Sequence, residues 1–332
     1  MVSPRRFLPV AVAVIAAAAV AIPLAVANEI GPDGEETVAQ VAADAAVAPA
    51  APVAPAAPVD ALPAGPLRYV ALGDSYTSAP GVPPVDPAAP AVCGRSAGNY
   101  PHLVAKTLGA ELTDVSCGGA DTMSLYEEQV PGVAAQLDSL SRDTTLVTLG
   151  IGGNDNDLFA TAIAGCAGKV GAVLGGDVAG ALEERSSCRD RYGEQFREDI
   201  EASGVMIEQA LGNIRAEAPL ARIVVVGYPN LLPTTEAGRL ACLAAGVPFS
   251  AEDMEFLDEV ERQLNTMLQT AAEKTKNTYL DTYTPSIGHD MCAAPGVRWV
   301  EPTIPLSPAA PVHPNAAGQA AVADALVALL RS

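Results

Sequence analysis

Two spacings of apolar residues alternate along most of this chain. Short runs rich in aliphatic residues stand at 68–72 (RYVAL), 145–153 (TLVTLGIGG), 221–229 (ARIVVVGYP) and 277–283 (NTYLDTY), with a weaker one at 111–116 (ELTDVS). Runs of this length bounded by Gly, Pro or Asn predict strands, and 221–229 is the clearest buried one. Between them the spacing becomes helical. Residues 99–110 carry Tyr100, Leu103, Val104 and Leu108 on one face. Residues 190–217 read as a long helix that ends near Pro219. The segment 251–276 is amphipathic, with acids early and lysines late, as the helix dipole favours. Residues 315–330 predict a terminal helix with Asn315 as its N-cap. Strand and helix in alternation predict an α/β fold, a parallel sheet with helices on both faces. Ligands in such folds bind beyond the carboxyl ends of the strands. Gly73-Asp74-Ser75, Gly152-Gly153-Asn154 and Gly227-Tyr228-Pro229 each follow a strand, so they are expected to gather at one edge. No internal repeat is visible.

Two stretches at the start fall outside this pattern. Arg5 and Arg6 precede an apolar run from Phe7 to Ala27 that ends Ala25-Val26-Ala27. A basic start, an apolar middle and a small-x-small end predict a signal peptide at 1–27. The alternative is an uncleaved anchor, since the run is just long enough to span a bilayer. Pro9, Pro23 and the cleavage-type tripeptide favour removal. Residues 28–66, with APAAPVAPAAPVDALPAGP at their end, hold too few large apolar side chains for a core. Their prolines favour extended segments, which predicts a linker or tether. The remainder, 67–332, is expected to be one α/β domain.

Composition narrows the partners. The formal net charge is −20, and cleavage of the signal would remove two arginines and no acid. That balance argues against nucleic acid and against attraction to anionic lipid. It fits a soluble protein outside the cell. The six cysteines, Cys93, Cys117, Cys166, Cys188, Cys242 and Cys292, form no CxxC pair. An even number behind a signal peptide predicts disulfides. Fifteen pairings are open, and sequential pairing closes the shortest loops, which makes it the expected one.

Ser75, in VALGDSYTS (70–78), could simply cap a helix. A nucleophile needs a base and donors for an oxyanion. Three histidines are present. His102 falls inside the early helix, and His289 falls in SIGHDMC. His313, in PVHPNAAGQA, stands on a loop directly before the terminal helix, which makes it the candidate base. Gly119, in the turn SCGGADT (116–122), offers a bare backbone N–H. Asn154, in GIGGNDNDLF (150–159), offers a side-chain amide at a strand end. Glycines also merely turn chains and asparagines merely cap helices, so neither means much alone. Asp74 reads as a carboxylate bonding turn amides. NDNDLF lacks the glycine and distal glutamate of an EF-hand, and no metal is assigned.

In chain order, Gly-Asp-Ser, Gly, Gly-Gly-Asn-Asp and His-Pro resemble the SGNH hydrolases, also called GDSL-type esterases and lipases. The resemblance runs from about residue 68 to 330. It implies a three-layer α/β/α sandwich around a five-stranded parallel sheet, flavodoxin-like in order. It implies Ser75 as nucleophile, His313 as base, and an oxyanion hole from the Ser75 N–H, the Gly119 N–H and the Asn154 side chain. The three cysteine pairs look like the secreted lipase and esterase branch. No cofactor is implied, and the substrate would be a small-molecule or lipid ester. Gly73 to Thr77 lacks the final glycine of G-x-S-x-G, which disfavours an α/β-hydrolase. Many members carry an Asp three residues before the His, where this chain has Ala310. Either a backbone carbonyl at Ala310 orients the imidazole, or Asp281 or Asp290 does; the carbonyl is favoured. The expected protein is a secreted monomeric serine esterase or lipase, with wall association through the tether as a variant. A carbohydrate acetyl esterase and a non-catalytic tethered binding protein are the alternatives. Selectivity is expected from two insertions, 78–93 and 160–188. Few aromatics, 4% of residues, disfavour sugar-stacking platforms and leave acyl chains open.

Overall fold

The five apolar runs pair side by side, all parallel: β1 (Arg68–Gly73), β2 (Glu111–Asp114), β3 (Leu146–Gly150), β4 (Arg222–Val226) and β5 (Thr278–Leu280). The computed structural model describes residues 65–167 and 187–332. The signal-type segment 1–27, the stretch 28–64 and residues 168–186 of the second expected insertion lie outside the described residues. The sheet order is β2-β1-β3-β4-β5. Parallel neighbours need crossovers, and here helices provide them. The described helices are α1 (Ser75–Ser78), α2 (Tyr100–Leu108), α3 (Leu158–Cys166), α4 (Cys188–Glu217), α5 (Glu236–Ala244), α6 (Ala251–Lys274), α7 (Tyr283–Ser286) and α8 (Ala316–Arg331).

Side-chain alternation along the strands divides the core into two layers. Tyr69, Ala71, Leu146, Val224 and Val226 meet Tyr100 and Val104 of α2 and Leu326 and Leu330 of α8 on one face. Val70, Leu72, Val147, Leu149, Ile223 and Val225 meet Phe196, Ile207 and Leu211 of α4 and Leu264 and Leu268 of α6 on the other. This is the expected α/β/α sandwich. The helix caps follow from sequence. Asn99 accepts from the His102 N–H, Ser250 from Asp253, and Asn315 from Ala317 and Gly318.

The register sets the geometry of the site. Gly73 lies opposite Gly150, so β1 and β3 end level. The chain leaves β1 toward β2 on one side, and β3 continues on the other. Ligands of open α/β sheets sit where the order reverses in this way.

Three disulfides join Cys93 to Cys117, Cys166 to Cys188 and Cys242 to Cys292, the sequential pairing. The first ties the loop after β1 to the loop after β2. The second joins the end of α3 to the start of α4, and the third ties α5 to the loop after α7. Helices α3 and α5 lay unread in the sequence. Helix α5 buries only Arg239 and Cys242, while Leu240 and Leu243, one turn apart, stay exposed, so its apolar side does not face the core. Among the described residues no helix is long and apolar enough to cross a membrane.

Candidate active site

β1 stops at Gly73 and the chain turns at once into α1. Asp74 caps the turn, its Oδ1 accepting the Tyr76 N–H at 2.8 Å. Ser75 is the first residue of that helix. Its N–H has no acceptor within the helix, and an oxygen anion placed there would find it free. Gln136 fastens the strand end from the side. Its Oε1 accepts the Gly73 N–H at 2.8 Å and its Nε2 donates to the Gly73 carbonyl at 3.0 Å.

The loop after β2 comes alongside this turn, since the Cys117 N–H donates to the Gly73 carbonyl at 3.0 Å. Within it the Gly118 N–H donates to the Cys93 carbonyl and the Ala120 N–H to the Cys117 carbonyl. The Gly119 N–H between them is not used in the loop. Gly119 has φ +74°, in the left-handed region that other residues rarely adopt. From the end of β3, the Asn154 Nδ2 donates to the Ala120 carbonyl at 2.9 Å. That bond fixes the amide and leaves its second proton. Asp155 reinforces the junction by accepting the Thr122 N–H at 2.8 Å. A side chain at Gly153 would run into the ring of Phe159, while Gly152 has φ +115°, in the region that favours glycine.

Tyr228 links three strand ends. Its hydroxyl donates to Asp74 Oδ2 at 2.6 Å and accepts the Gly153 N–H at 2.8 Å. Burial raises the Asp74 carboxyl to about 7, against the bonds from Tyr228 and Tyr76 that favour its charge. Asp74 thus acts within the fold of the turn, as its sequence position suggests.

His313 sits on the loop before α8. The loop is pinned at several points. The Glu301 N–H donates to the His313 carbonyl at 2.9 Å, and the Ala310 N–H donates to the Pro80 carbonyl at 2.8 Å. The Glu301 carboxylate accepts from Asn315 Nδ2 at 2.9 Å, from the Leu306 N–H, and from the N–H and hydroxyl of Ser307. These bonds hold Glu301 below the ordinary carboxylate range despite its burial. Tyr76 then brings this loop onto the Ser75 turn. Its hydroxyl donates to the Val312 carbonyl at 2.8 Å, and its ring lies 4.9 Å from the imidazole of His313. Gln319 of α8 adds a second tie, its Nε2 donating to the Tyr76 carbonyl at 2.9 Å.

The imidazole Nδ1 lies 2.6 Å from the Pro311 carbonyl. A carbonyl only accepts, so Nδ1 carries the proton and Nε2 is left as the basic nitrogen. This corrects the expectation of Ala310, whose carbonyl instead accepts the backbone N–H of His313 at 3.3 Å. The cause is the local backbone. Val312 has φ +61°, and the resulting tight turn brings the nearer carbonyl under the ring. Asp281 bonds the N–H groups of Tyr283 and Thr284, and Asp290 bonds that of Cys292. Both carboxylates are engaged away from His313. Burial lowers the His313 pKa, and the Pro311 carbonyl opposes that shift.

The other histidines are placed elsewhere. His102 Nδ1 lies 2.7 Å from Asn99 Oδ1 at the start of α2, and His289 stacks on Trp299 at 4.0 Å. Among the described residues no three His, Cys, Asp or Glu side chains are grouped to hold a metal ion. Beside Tyr76 and Val312 opens an apolar cavity. Phe159, Leu231, Leu257, Leu264 and Met291 are among its walls. Tyr76, Tyr228, Gln136 and Gln319 were not singled out in the sequence for these roles. Tyr228 alone had a signal, its place in a strand-ending Gly-Tyr-Pro.

The model of the GDSL-like Lipase/Acylhydrolase family matches residues 71–321. Lipase 2 of Streptomyces coelicolor is 46% identical over 259 residues, covering 78% of this chain and 84% of that protein. An esterase of Streptomyces scabiei is 31% identical over 70% of this chain and 74% of its own length. Among solved structures, an extracellular lipase from Streptomyces rimosus superposes with a TM-score of 0.63 at 26% identity, covering 79% of this chain and 99% of that one. Phospholipase A1 from Streptomyces albidoflavus NA297 superposes with a TM-score of 0.61 at 25% identity, covering 80% and 99%.

Proposed function

The chain belongs to the GDSL-like lipase/acylhydrolase family and is a carboxylic ester hydrolase, and from that premise we propose that it works through a Ser75–His313 dyad on acyl-lipid esters. The observation that carries this reading is the double hold of Tyr76 on the 312–313 loop, which couples the serine turn to a neutral imidazole. In the proposed reaction His313 Nε2 takes the Ser75 proton as Oγ attacks the ester carbonyl. The developing oxyanion is met by the N–H groups of Ser75 and Gly119 and by the Asn154 amide. The imidazolium then gives its proton to the leaving alcohol. Water, deprotonated by His313, attacks the acyl-enzyme and releases the acid and Ser75. The Pro311 carbonyl fixes the tautomer but adds no full negative charge beside the imidazolium, as a carboxylate would.

The apolar cavity beside Tyr76 favours an acyl chain over a sugar, and a chain with 4% aromatic residues offers few stacking platforms. Phospholipase action is the neighbouring activity, since one similar structure is a phospholipase A1. The signal-type segment, the three disulfides and the extracellular lipase among the similar structures support export. Residues 28–66 would then be a linker, and 67–332 the catalytic domain.

A fluorophosphonate probe tests the nucleophile. The folded wild-type protein should label, and Ser75→Ala should not. A folded wild-type protein that ignores the probe would favour a non-catalytic binding protein on this fold. Hydrolysis of p-nitrophenyl esters from acetyl to palmitoyl, beside a phospholipid and an acetylated xylan, fixes the substrate class. Highest kcat/KM on acetyl xylan would overturn the acyl-lipid assignment.

A further inference from the structure

The cavity beside the dyad is apolar with one exception. Glu261, on α6, lines it among Leu257, Val260 and Leu264. The residue is 4% exposed. Its Oε2 accepts the Leu231 N–H at 3.1 Å, while Oε1 has no hydrogen-bond partner among the described residues. The neighbouring acid shows what a satisfied carboxylate looks like here. Asp258, one turn earlier, accepts from the Tyr283 hydroxyl, Asn230 Nδ2 and Arg262 Nε. Glu261 has one bond and a free oxygen. A buried polar atom without a partner is costly. Eight other buried side-chain atoms among the described residues lack a partner as well, but Glu261 is the one of these residues that lines this cavity, where a ligand can supply the missing bond.

Resting on the ester-hydrolase reading above, we infer that Glu261 is a specificity residue that selects esters whose acyl chain carries a hydroxyl group. Tyr76 and Val312, the sequence neighbours of Ser75 and His313, line the same cavity. A chain esterified at Ser75 therefore enters the space that Glu261 borders. Burial pushes the Glu261 carboxyl well above its ordinary range, which favours the protonated acid. The acid proton can sit on either oxygen. With the proton on Oε1, the wall offers a donor and a chain hydroxyl accepts. With it on Oε2, the wall offers an acceptor and the hydroxyl donates. A hydroxyl suits both arrangements, whereas a keto or ether oxygen suits only the first. A plain methylene chain leaves Oε1 unpaired.

The test compares p-nitrophenyl esters of unsubstituted acyl chains with the same chains bearing one hydroxyl at successive positions. For at least one position, wild-type kcat/KM should exceed that of the parent ester by about threefold to tenfold. Glu261→Gln should keep that preference, because the amide can accept from the Leu231 N–H and still present a donor. Glu261→Leu should lose the preference and turn over the plain chain faster than wild type. The wild-type series is decisive by itself if Glu261→Leu does not fold. Plain esters hydrolysed as fast as every hydroxylated isomer would overturn the inference and leave the hydrolase reading standing. An unchanged preference in Glu261→Leu would overturn it equally. Absence of hydrolysis on all esters, with no fluorophosphonate labelling, would instead remove the hydrolase reading and this inference with it.

Discussion

At the scale of the residue, the proposed base is tuned by burial. The neutral imidazole is the working form, and loss of hydration at His313 disfavours its protonation. The rate should therefore rise with pH through a midpoint below the ordinary histidine value of 6.5 and then stay level. A kcat/KM profile whose acid limb lies at or above that value counts against His313 as a buried base. The same profile should persist in Asp281→Asn and Asp290→Asn, with rates within roughly tenfold of wild type, since neither carboxylate reaches the imidazole. The candidates Ser75, Gly119, Asn154 and His313 could be proposed from the sequence because each stands in a short motif and the motifs follow in order. The residues that assemble them were not. Tyr228 meets Asp74 across 154 positions and Gln319 meets Tyr76 across 243, and no local pattern distinguishes such side chains from core or cap. The shift from Ala310 to Pro311 has a similar origin. Which carbonyl faces the ring depends on the positive φ of Val312, and a β-branched residue gives no hint of that conformation.

At the scale of the element, the strands and the capped amphipathic helices were legible, because burial on both faces or on one stripe writes a period into the sequence. Helix α5 carries a helical period too, but its Leu240 and Leu243 are exposed. A covalent link to Cys292, and not a buried apolar face, accompanies it. The disulfide nearest the site has the clearest consequence. Cys93–Cys117 spans 24 residues and lies beside the Gly118–Gly119 turn, whose Gly118 N–H donates to the Cys93 carbonyl. Replacing both cysteines by serine should lower stability by about 3 kcal/mol on the chain-entropy account. It should also slow ester hydrolysis, because the Gly119 N–H loses the support that holds it near Ser75. Urea unfolding midpoints and kcat on one p-nitrophenyl ester measure the two effects separately. Unchanged kcat in a destabilised variant would show that the loop keeps its place by hydrogen bonds alone.

At the scale of the whole molecule, the described core begins at β1, with Leu67 packed against it. Both layers are filled by residues from Tyr69 onward. A chain shortened to residues 67–332 should fold and hydrolyse the same ester with kcat/KM within about twofold of the longer chain, by the additivity of distant parts. A large loss would assign residues 28–66 a part in catalysis. The tie between Tyr76 and Val312 crosses 236 positions, and it also bears on how the protein is made. The ribosome releases the serine turn early and the histidine loop late. Through most of its synthesis the growing chain thus holds the proposed nucleophile without its proposed base, and the α6 wall of the cavity also comes late. On the proposed dyad, ester hydrolysis begins only once the histidine loop has been made.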